Sequence, residues 1–220
     1  MLTILSTKKL SEKSKVKLEN AGFLVVETNF ITTKTIRFSI EKTNENLIFT
    51  SKNAVKSILP FKSELENKNV FCVGSKTKAY LEKKGFNMIF FADNAQDLAN
   101  KICKDYNTLN FTFFCGNIRK ETLPNILNEN KIELNEIVVY KTKLKSHKIS
   151  IQTDAILFFS PSAIKSYLKE NTIKGQVCFC IGKTTAESLE NITENIEVTK
   201  NPSRNAVIKK CIKYYKNKND

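Results

Sequence analysis

Short apolar runs alternate with helical patterns along most of the chain. Each run leads into a polar corner and then into apolar residues spaced three or four apart, the period of a helix with one buried face. The runs predict strands at residues 2–5, 23–27, 46–50, 70–73, 87–91, 111–114, 133–139, 155–159, 177–181 and 196–199. Glycine or proline ends several of the intervening helices, as at Gly22, Pro60 and Gly85. Strands alternating with helices indicate an α/β fold with parallel sheets covered on both faces.

The chain also repeats part of itself. Residues 48–57 reappear in similar form as residues 157–166, and residues 71–77 reappear as residues 179–185. The offsets agree, since Ser160 follows Ser51 by 109 residues and Gly182 follows Gly74 by 108 residues. A repeat of this length, with a strand and a helix start in each copy, predicts two similar domains.

Two polar stretches without core periodicity, at residues 28–34 and 141–149, interrupt the alternation. We interpret both as crossings between the domains. The first domain is then discontinuous, with residues 1–33 completed by residues 145–220, and the second is inserted at residues 37–139. Residues 34–36 and 140–144 form the crossings, and the polar tail from residue 214 onward is expected to be a frayed end.

The composition fits two domains and excludes several classes of protein. A chain of 220 residues that is 41% hydrophobic can form two cores of about 100 residues each. The sequence shows no apolar run of membrane-spanning length and no signal-peptide pattern at its start, so we expect a cytoplasmic protein. Its six cysteines form no CxxC motif, and a single histidine, His147, accompanies them, so neither a zinc site nor a redox pair is expected.

The formal net charge of +14 arises from 36 Lys and Arg against 22 Asp and Glu. Lysines scattered over helices and loops are typical of a solvated basic surface, although they could also steer a polyanion toward the protein. The sequence contains no RNP motif, zinc finger or basic region with heptads. We therefore do not expect a nucleic-acid partner, and a membrane partner is not expected either.

Small polar residues follow the predicted strands at the points where helices begin. Backbone N–H groups at such corners bind anions, each contributing about 0.3 to 1 kcal/mol when exposed. Serine hydroxyls cap the helices, and glycine allows tight turns and close approach of the backbone. We predict anion-binding corners of this kind at Ser51, Gly74, Gly116, Ser160 and Gly182.

Several motifs occur together in a characteristic order. They are Ile48-Phe49-Thr50-Ser51, Val73-Gly74 with Thr77, Gly116 with Glu121-Thr122-Leu123-Pro124, Val139-Tyr140 with Thr142, Phe159-Ser160-Pro161-Ser162-Ala163, and Ile181-Gly182-Lys183-Thr184-Thr185. In this ordered set, which spans most of the chain, the sequence resembles the uroporphyrinogen-III synthase family.

The resemblance implies two similar flavodoxin-like domains joined by a two-stranded linker, with the active site in the cleft between them. It implies a cyclising lyase acting on a small-molecule tetrapyrrole, hydroxymethylbilane. The substrate loses water, its last ring is inverted through a spiro intermediate, and uroporphyrinogen III is formed. No cofactor or metal is implied, and we expect a monomer. A non-catalytic module that binds an anionic small molecule is the alternative.

The resemblance also assigns roles to individual residues. Tyr140 matches the position of a proton donor to the leaving hydroxyl, although it could instead be an aromatic residue packed at the domain junction. Lys52 stands where the second repeat has proline and could supply a cation. The predicted substrate-binding residues are Ser51, Lys52, Gly74, Thr77, Gly116, Ser160, Gly182, Thr184 and Thr185.

Overall fold

A computed structural model describes the backbone of residues 1–219 and the side chains of residues 1–217. The chain divides into two compact units, one made of Met1–Thr32 with Lys143–Asp220 and the other of Thr33–Thr142. Each unit has a largely parallel sheet with helices on its faces. The α/β architecture with parallel sheets that the sequence pattern predicts is therefore confirmed.

The first unit begins with β1 (Leu2–Ser6), α1 (Glu12–Glu19) and β2 (Phe23–Glu27), and β3 (Ile31–Thr35) then enters the second unit. The second unit continues with β4 (Asn46–Phe49), α2 (Lys52–Ile58), a 3-10 turn (Leu59–Phe61), α3 (Lys62–Leu65), β5 (Asn69–Val73), α4 (Ser75–Lys83), β6 (Asn87–Ala92), α5 (Ala95–Asp105), β7 (Phe111–Gly116), α6 (Thr122–Glu129) and β8 (Leu134–Leu144). The chain then completes the first unit with β9 (Ala155–Phe158), α7 (Pro161–Tyr167), β10 (Val177–Cys180), α8 (Lys183–Ala186), a second 3-10 turn (Glu187–Leu189), β11 (Ile196–Val198) and α9 (Arg204–Asn219).

The sheet of the first unit has the strand order β11-β10-β9-β1-β2, and the sheet of the second unit has the order β3-β8-β7-β4-β5-β6. Neighbouring strands pair in parallel from β2 to β11 and from β8 to β6. Two backbone hydrogen bonds show the direction of β3 beside β8: Ile36 N–H donates to Val139 O (3.2 Å), and Lys145 N–H donates to Phe30 O (2.8 Å). The later residue of one segment is thus bonded to the earlier residue of the other. The pair β3 and β8 is therefore antiparallel.

Each sheet is buried on both faces, which explains why its central strands are apolar at consecutive positions. In β4, Leu47 and Phe49 belong to one core cluster while Ile48 belongs to the cluster on the opposite face. The first unit repeats this arrangement, with Leu157 in one cluster and Ile156 in the other. Parallel strands of this kind end in loops at one edge of the sheet, and the predicted site residues follow those ends.

One strand is longer than the sequence pattern indicates. The pattern predicts a strand at residues 133–139, whereas β8 continues through the polar segment 140–144 to Leu144, because this strand lies beside β3 where one face can remain exposed. The expectation that the tail frays is wrong, because α9 continues to Asn219; Asp220 lies outside the described residues. Tyr215 is buried against Phe23, and its hydroxyl donates a hydrogen bond to Asp154 O at 3.1 Å.

Candidate functional site

The carboxyl edge of the second unit's sheet brings predicted site residues together. Chain order proceeds outward from β4 through β5 to β6 on one side, while β7 and β8 lie on the other. Open α/β sheets bind ligands at such a switch point, where the loops after two adjacent strands diverge. Ser51 follows β4, Gly116 ends β7, and Tyr140 lies on the adjacent β8.

The hydroxyl of Tyr140 donates a hydrogen bond to Ser51 Oγ at 3.2 Å. Ser51 is also the N-cap of α2, since its Oγ accepts the N–H of Asn53 at 3.1 Å. A serine oxygen has two acceptor positions and one hydrogen. Because both acceptor positions are occupied, the remaining capacity of Ser51 is to donate its own hydroxyl hydrogen.

Gly116 is required by the position of the Tyr140 ring. A Cβ atom at residue 116 would lie 2.4 Å from Tyr140 Cζ and 2.8 Å from its hydroxyl oxygen, distances that no real side chain tolerates. The prediction that a helix begins directly after Gly116 is wrong, because α6 begins at Thr122 and a loop intervenes. What Gly116 provides is space for the tyrosine beside Ser51.

A β-bulge turns Tyr140 toward this site. Cys115 pairs with Val138, but the next residue, Gly116, pairs with Tyr140, so the register shifts by one residue. Val139 belongs to the core cluster beneath the edge, and Tyr140 packs against that same cluster. Ordinary alternation along a strand would place these two consecutive side chains on opposite faces, so the bulge is what brings both to the same face.

Burial raises the pKa of the Tyr140 phenol, and its hydrogen bond to Ser51 opposes this only in part. The phenolate is therefore disfavoured, and Tyr140 is neutral over the ordinary range of pH. A phenol with a raised pKa is a weaker acid than a free one. The geometry accordingly suits Tyr140 as a neutral hydrogen-bond donor that orients Ser51.

The neighbouring corner after β5 contains Gly74, whose φ of +86° lies in the left-handed region that favours glycine. Thr77 is buried within the first turns of α4, so its side chain contributes to packing. Lys52 is exposed at the start of α2, and its Nζ lies 4.5 Å from the centre of the Tyr80 ring. This cation–π contact holds a positive charge at the same edge as Ser51.

Arg119, in the loop after β7, was not predicted from the sequence. Its Nε lies 2.6 Å from Glu136 Oε2, and its Nη2 donates a hydrogen bond to Glu136 Oε1 at 2.8 Å, so the two side chains form a bidentate pair. Glu121 contacts the same guanidinium group. This pairing could not be predicted from the sequence, because it depends on which residue of β8 lies beside the loop.

The carboxyl edge of the first unit contains the remaining predicted residues. Ser160 caps α7, since its Oγ accepts the N–H of Ala163 at 3.2 Å. Thr185 is buried in the first turn of α8, whereas Thr184 is exposed. Gly182 was expected to form a tight turn, but its φ of −179° is extended, and the nearest atom to a Cβ placed there is 3.8 Å away. That expectation is wrong, because other residues can adopt this backbone conformation without collision.

Sequence reasoning missed the end of β1, where Ser6 and Thr7 are both buried. The Thr7 hydroxyl donates to Leu157 O at 2.7 Å, and the Ser6 hydroxyl donates to Lys8 O at 2.6 Å. The available signal was hydroxyl residues directly after an apolar run, the same signal that identified Ser51 and Ser160. These hydroxyls fix the backbone where β1 adjoins β9.

Among the described residues, no group of three or more His, Cys, Asp or Glu side chains is arranged to hold a metal ion. The described helices include none that is both long and apolar enough to cross a membrane.

A family model described as uroporphyrinogen-III synthase HemD matches residues 12–209 of the chain. Among solved structures, the uroporphyrinogen-III synthetase of Helicobacter pylori is 20% identical with a TM-score of 0.72, and the match covers 97% of this chain and 100% of that one. A mutant uroporphyrinogen III synthase from Thermus thermophilus is 12% identical with a TM-score of 0.73, covering 99% of this chain and 100% of that one. The wild-type Thermus thermophilus enzyme gives 11% identity and a TM-score of 0.57, covering 100% of both chains. At these identities, the structural matches show a shared fold.

Proposed function

The chain belongs to the uroporphyrinogen-III synthase family, and from this premise we propose that it cyclises hydroxymethylbilane to uroporphyrinogen III. The family implies an enzyme of tetrapyrrole biosynthesis. The proposed reaction is that of a lyase: water leaves, the last ring is inverted through a spiro intermediate, and the macrocycle closes. No cofactor or metal takes part in it.

The observation that carries the proposal is the group formed by Ser51, Gly116 and Tyr140 at the switch point of the second unit. The substrate loses its hydroxyl group readily, so the enzyme must mainly determine which carbon of the last ring attacks. This is a problem of positioning. A tenfold preference for one carbon requires about 1.4 kcal/mol of differential stabilisation of the transition state, which a few oriented hydrogen bonds can supply.

We assign Ser51 the role of donor toward the substrate. Its acceptor positions are occupied by Tyr140 and Asn53, so its hydroxyl hydrogen is available for the leaving hydroxyl or for a carboxylate arm. Tyr140 supports Ser51 by donating to it, and the raised pKa of the phenol keeps that donor protonated. Lys52 supplies positive charge near the same edge, which favours a substrate that carries several carboxylates.

The other predicted residues are proposed to bind the acetate and propionate arms of the substrate. Gly74 and Gly182 precede helices, and Ser160 caps one, so backbone N–H groups are exposed near these positions. Thr184 is accessible and can donate its hydroxyl directly, whereas the buried Thr77 and Thr185 shape the corners from beneath.

We further propose that both units are flavodoxin-like domains, with boundaries near residues 1–33 plus 145–220 and 37–139. The strand order of the first unit supports this, because β2-β1-β9-β10-β11 is the order 2-1-3-4-5 when its strands are numbered along the chain. The parallel strands of the second unit, β6-β5-β4-β7-β8, have the related doubly-wound order 3-2-1-4-5, so for this unit the proposal rests on the family resemblance. The antiparallel pair β3 and β8 is the proposed two-stranded linker, since each of these strands contains a boundary between the units. We also propose that the protein is a monomer.

The alternative is a module that binds an anionic small molecule without catalysis. It is favoured by one observation: the phenol at the candidate site has a raised pKa and is a poor acid. Cyclisation selected by positioning does not need a strong acid, so we prefer the enzyme.

The test is to incubate the protein with freshly prepared hydroxymethylbilane, oxidise the products and separate the isomers by chromatography. We expect isomer III to dominate. Accumulation of isomer I at the spontaneous rate would reject the enzyme, and tight binding of the bilane under the same conditions would then favour the module. Replacing Tyr140 by Phe should lower the rate about 3- to 10-fold, the effect of one hydrogen bond, and Tyr106→Phe in the same unit is the matched control.

A further inference from the structure

Asn117 holds the part of β8 that follows the bulge that positions Tyr140. Its Oδ1 accepts the N–H of Thr142 at 2.7 Å, and its Nδ2 donates to Thr142 O at 3.4 Å. Its own backbone N–H donates to Tyr140 O at 3.2 Å. The contacts of this one residue therefore bind β8 at the Tyr140 carbonyl and at the two backbone groups of Thr142 that follow it.

These contacts begin where the ordinary pairing of the two strands ends. β7 stops at Gly116, and the chain then leaves the sheet toward α6. A side-chain amide carries the same donor and acceptor as a peptide group. The amide of Asn117 therefore continues the hydrogen-bond ladder for one more step along β8, after the strand that should supply it has ended.

The bulge is consequently fixed at two points. On one side, Cys115 pairs with Val138, and on the other, Asn117 binds Thr142. The pairing of β7 with β8 can therefore change register only between Val138 and Thr142. The extra residue of the bulge falls within this interval, which turns Tyr140 toward Ser51. Bulges that redirect a side chain occur frequently beside active sites.

Asn117 is exposed, whereas Tyr140 packs against the buried core cluster. Its side chain therefore contributes little apolar burial, and its hydrogen bonds act mainly on the backbone around Tyr140. We infer that Asn117 is a positioning residue for Tyr140 in the cyclisation. This inference rests on the proposed function, but the placement of Tyr140 can be measured without substrate.

The first experiment measures that placement through ionisation of Tyr140. Ultraviolet titration of the phenolate band is recorded for the parent protein and for Asn117→Ala, and the same curves in a Tyr140→Phe background are subtracted. We expect Tyr140 to ionise at lower pH in Asn117→Ala, because a ring released from its site becomes better solvated. Asn117→Asp, which keeps the acceptor for the Thr142 N–H, should restore most of the parent behaviour.

Asn135→Ala is the matched control. Asn135 also lies on β8, and its side chain also binds a backbone carbonyl, that of Lys42 at 2.6 Å, but at the opposite end of the strand. We expect its Tyr140 titration to equal that of the parent. A titration that is unchanged in Asn117→Ala would overturn the inference, and so would an equal change in both variants.

The second experiment follows conversion of hydroxymethylbilane. Asn117→Ala should lower kcat about fivefold with KM within about twofold, and it should lower the ratio of isomer III to isomer I. In a Tyr140→Phe background, the same substitution should have little further effect. A full additional loss in that background would mean that Asn117 contacts substrate directly, which would overturn a positioning role. If the parent protein makes no isomer III, the proposed function fails, while the titration still decides the placement of Tyr140.

Discussion

Replacing Gly116 by Ala should disable the candidate site through a steric collision. Gly116 has no positive φ, so the backbone itself accepts alanine. The obstacle is the Tyr140 ring, whose Cζ, Cε2 and hydroxyl oxygen lie 2.4, 2.7 and 2.8 Å from the position of the added methyl group. Ordinary carbon contacts are about 3.5 to 4.0 Å, so the ring must move by about 1 Å or more.

Movement of the Tyr140 ring should affect both catalysis and the free energy of unfolding. The hydrogen bond from Tyr140 to Ser51 is already 3.2 Å long, and a further displacement of about 1 Å would break it. Loss of this bond alone should lower the rate about 3- to 10-fold, as in Tyr140→Phe, and a ring displaced by about 1 Å beside Ser51 can increase the loss to about 100-fold by misplacing the substrate. Overpacking a buried position costs about 1–3 kcal/mol in the free energy of unfolding. We therefore expect a large loss of isomer III formation together with a moderate loss of stability.

The assay is the rate and isomer ratio of hydroxymethylbilane cyclisation, measured beside urea unfolding of the same variant. For urea unfolding, Gly182→Ala is the control, because a Cβ at that residue meets its nearest atom at 3.8 Å, an ordinary contact. In a Tyr140→Leu background, which removes the ring atoms concerned, Gly116→Ala should cost much less than it does in the parent. If Gly116→Ala retains both the parental activity and the parental urea midpoint, the geometric reasoning is refuted.

Three further predictions concern stability. Gly74→Ala should lower the free energy of unfolding by about 1 kcal/mol or more, because alanine is strained at a φ of +86°; a urea midpoint equal to that of Gly182→Ala would contradict this. Tyr215→Ala should cost about 3 kcal/mol or more, through lost aromatic packing and the lost bond to Asp154 O, and a tail that frayed in solution would instead leave urea unfolding unchanged. Stability should fall as pH rises above about 9, because burial raises the pKa of four thiols from 9.0 to about 12, those of Cys72, Cys178, Cys180 and Cys211. The unfolded chain then releases these protons at lower pH than the folded protein does, which favours unfolding; equal urea midpoints at about pH 8 and about pH 10 would contradict this.

The general fold was predictable because its strands are buried on both faces and therefore appear as short apolar runs. Ile48 and Phe49 illustrate this, since they face different core clusters and yet are both fully buried. β8 was harder to delimit because part of it is exposed beside β3, so its last residues are polar. The tail misled for a related reason: its many lysines concealed Tyr215, which packs against Phe23 and Phe179.

The sequence predicted which types of residue form the candidate site, but not how their side chains are oriented. Hydroxyl residues after apolar runs identified Ser51 and Ser160, because capping is a local property of the chain. The orientation of Tyr140 was not predictable, since a two-residue period places it opposite Val139 and only the bulge reverses this. Asn117 was missed for the same reason, because its importance depends on the register of two strands that are distant in sequence.

The two glycines that the repeat aligns show a further limit of sequence comparison. Gly74 has a φ of +86°, whereas Gly182 is extended with a φ of −179°. The backbone geometry that the repeat suggests for both is needed in one copy only. Repetition therefore indicates a shared fold without ensuring shared local conformation, which bears on how the function is divided between the units.

The two units correspond strand by strand but differ in the residues at the ends of the matching strands. The repeat aligns β4 with β9, and the neighbours of these strands correspond accordingly, so that β7 of the second unit occupies the place that β1 occupies in the first. Ile48 pairs with Phe113, and its counterpart Leu157 pairs with Ser6. In the second unit, β7 continues beyond Phe113 and pairs with β8 as far as Gly116 and Tyr140. In the first unit, the pairing of β1 with β9 ends at Ser6, and the hydroxyl of the next residue, Thr7, donates a hydrogen bond to Leu157 O. The first unit thus has hydroxyls occupied with its own backbone where the second has a tyrosine aimed at a serine. We expect substitutions at Ser51, Gly116 and Tyr140 to change which isomer forms, and substitutions at Ser160 and Thr184 to act mainly on KM, because binding carboxylate arms needs only the corners that both copies share.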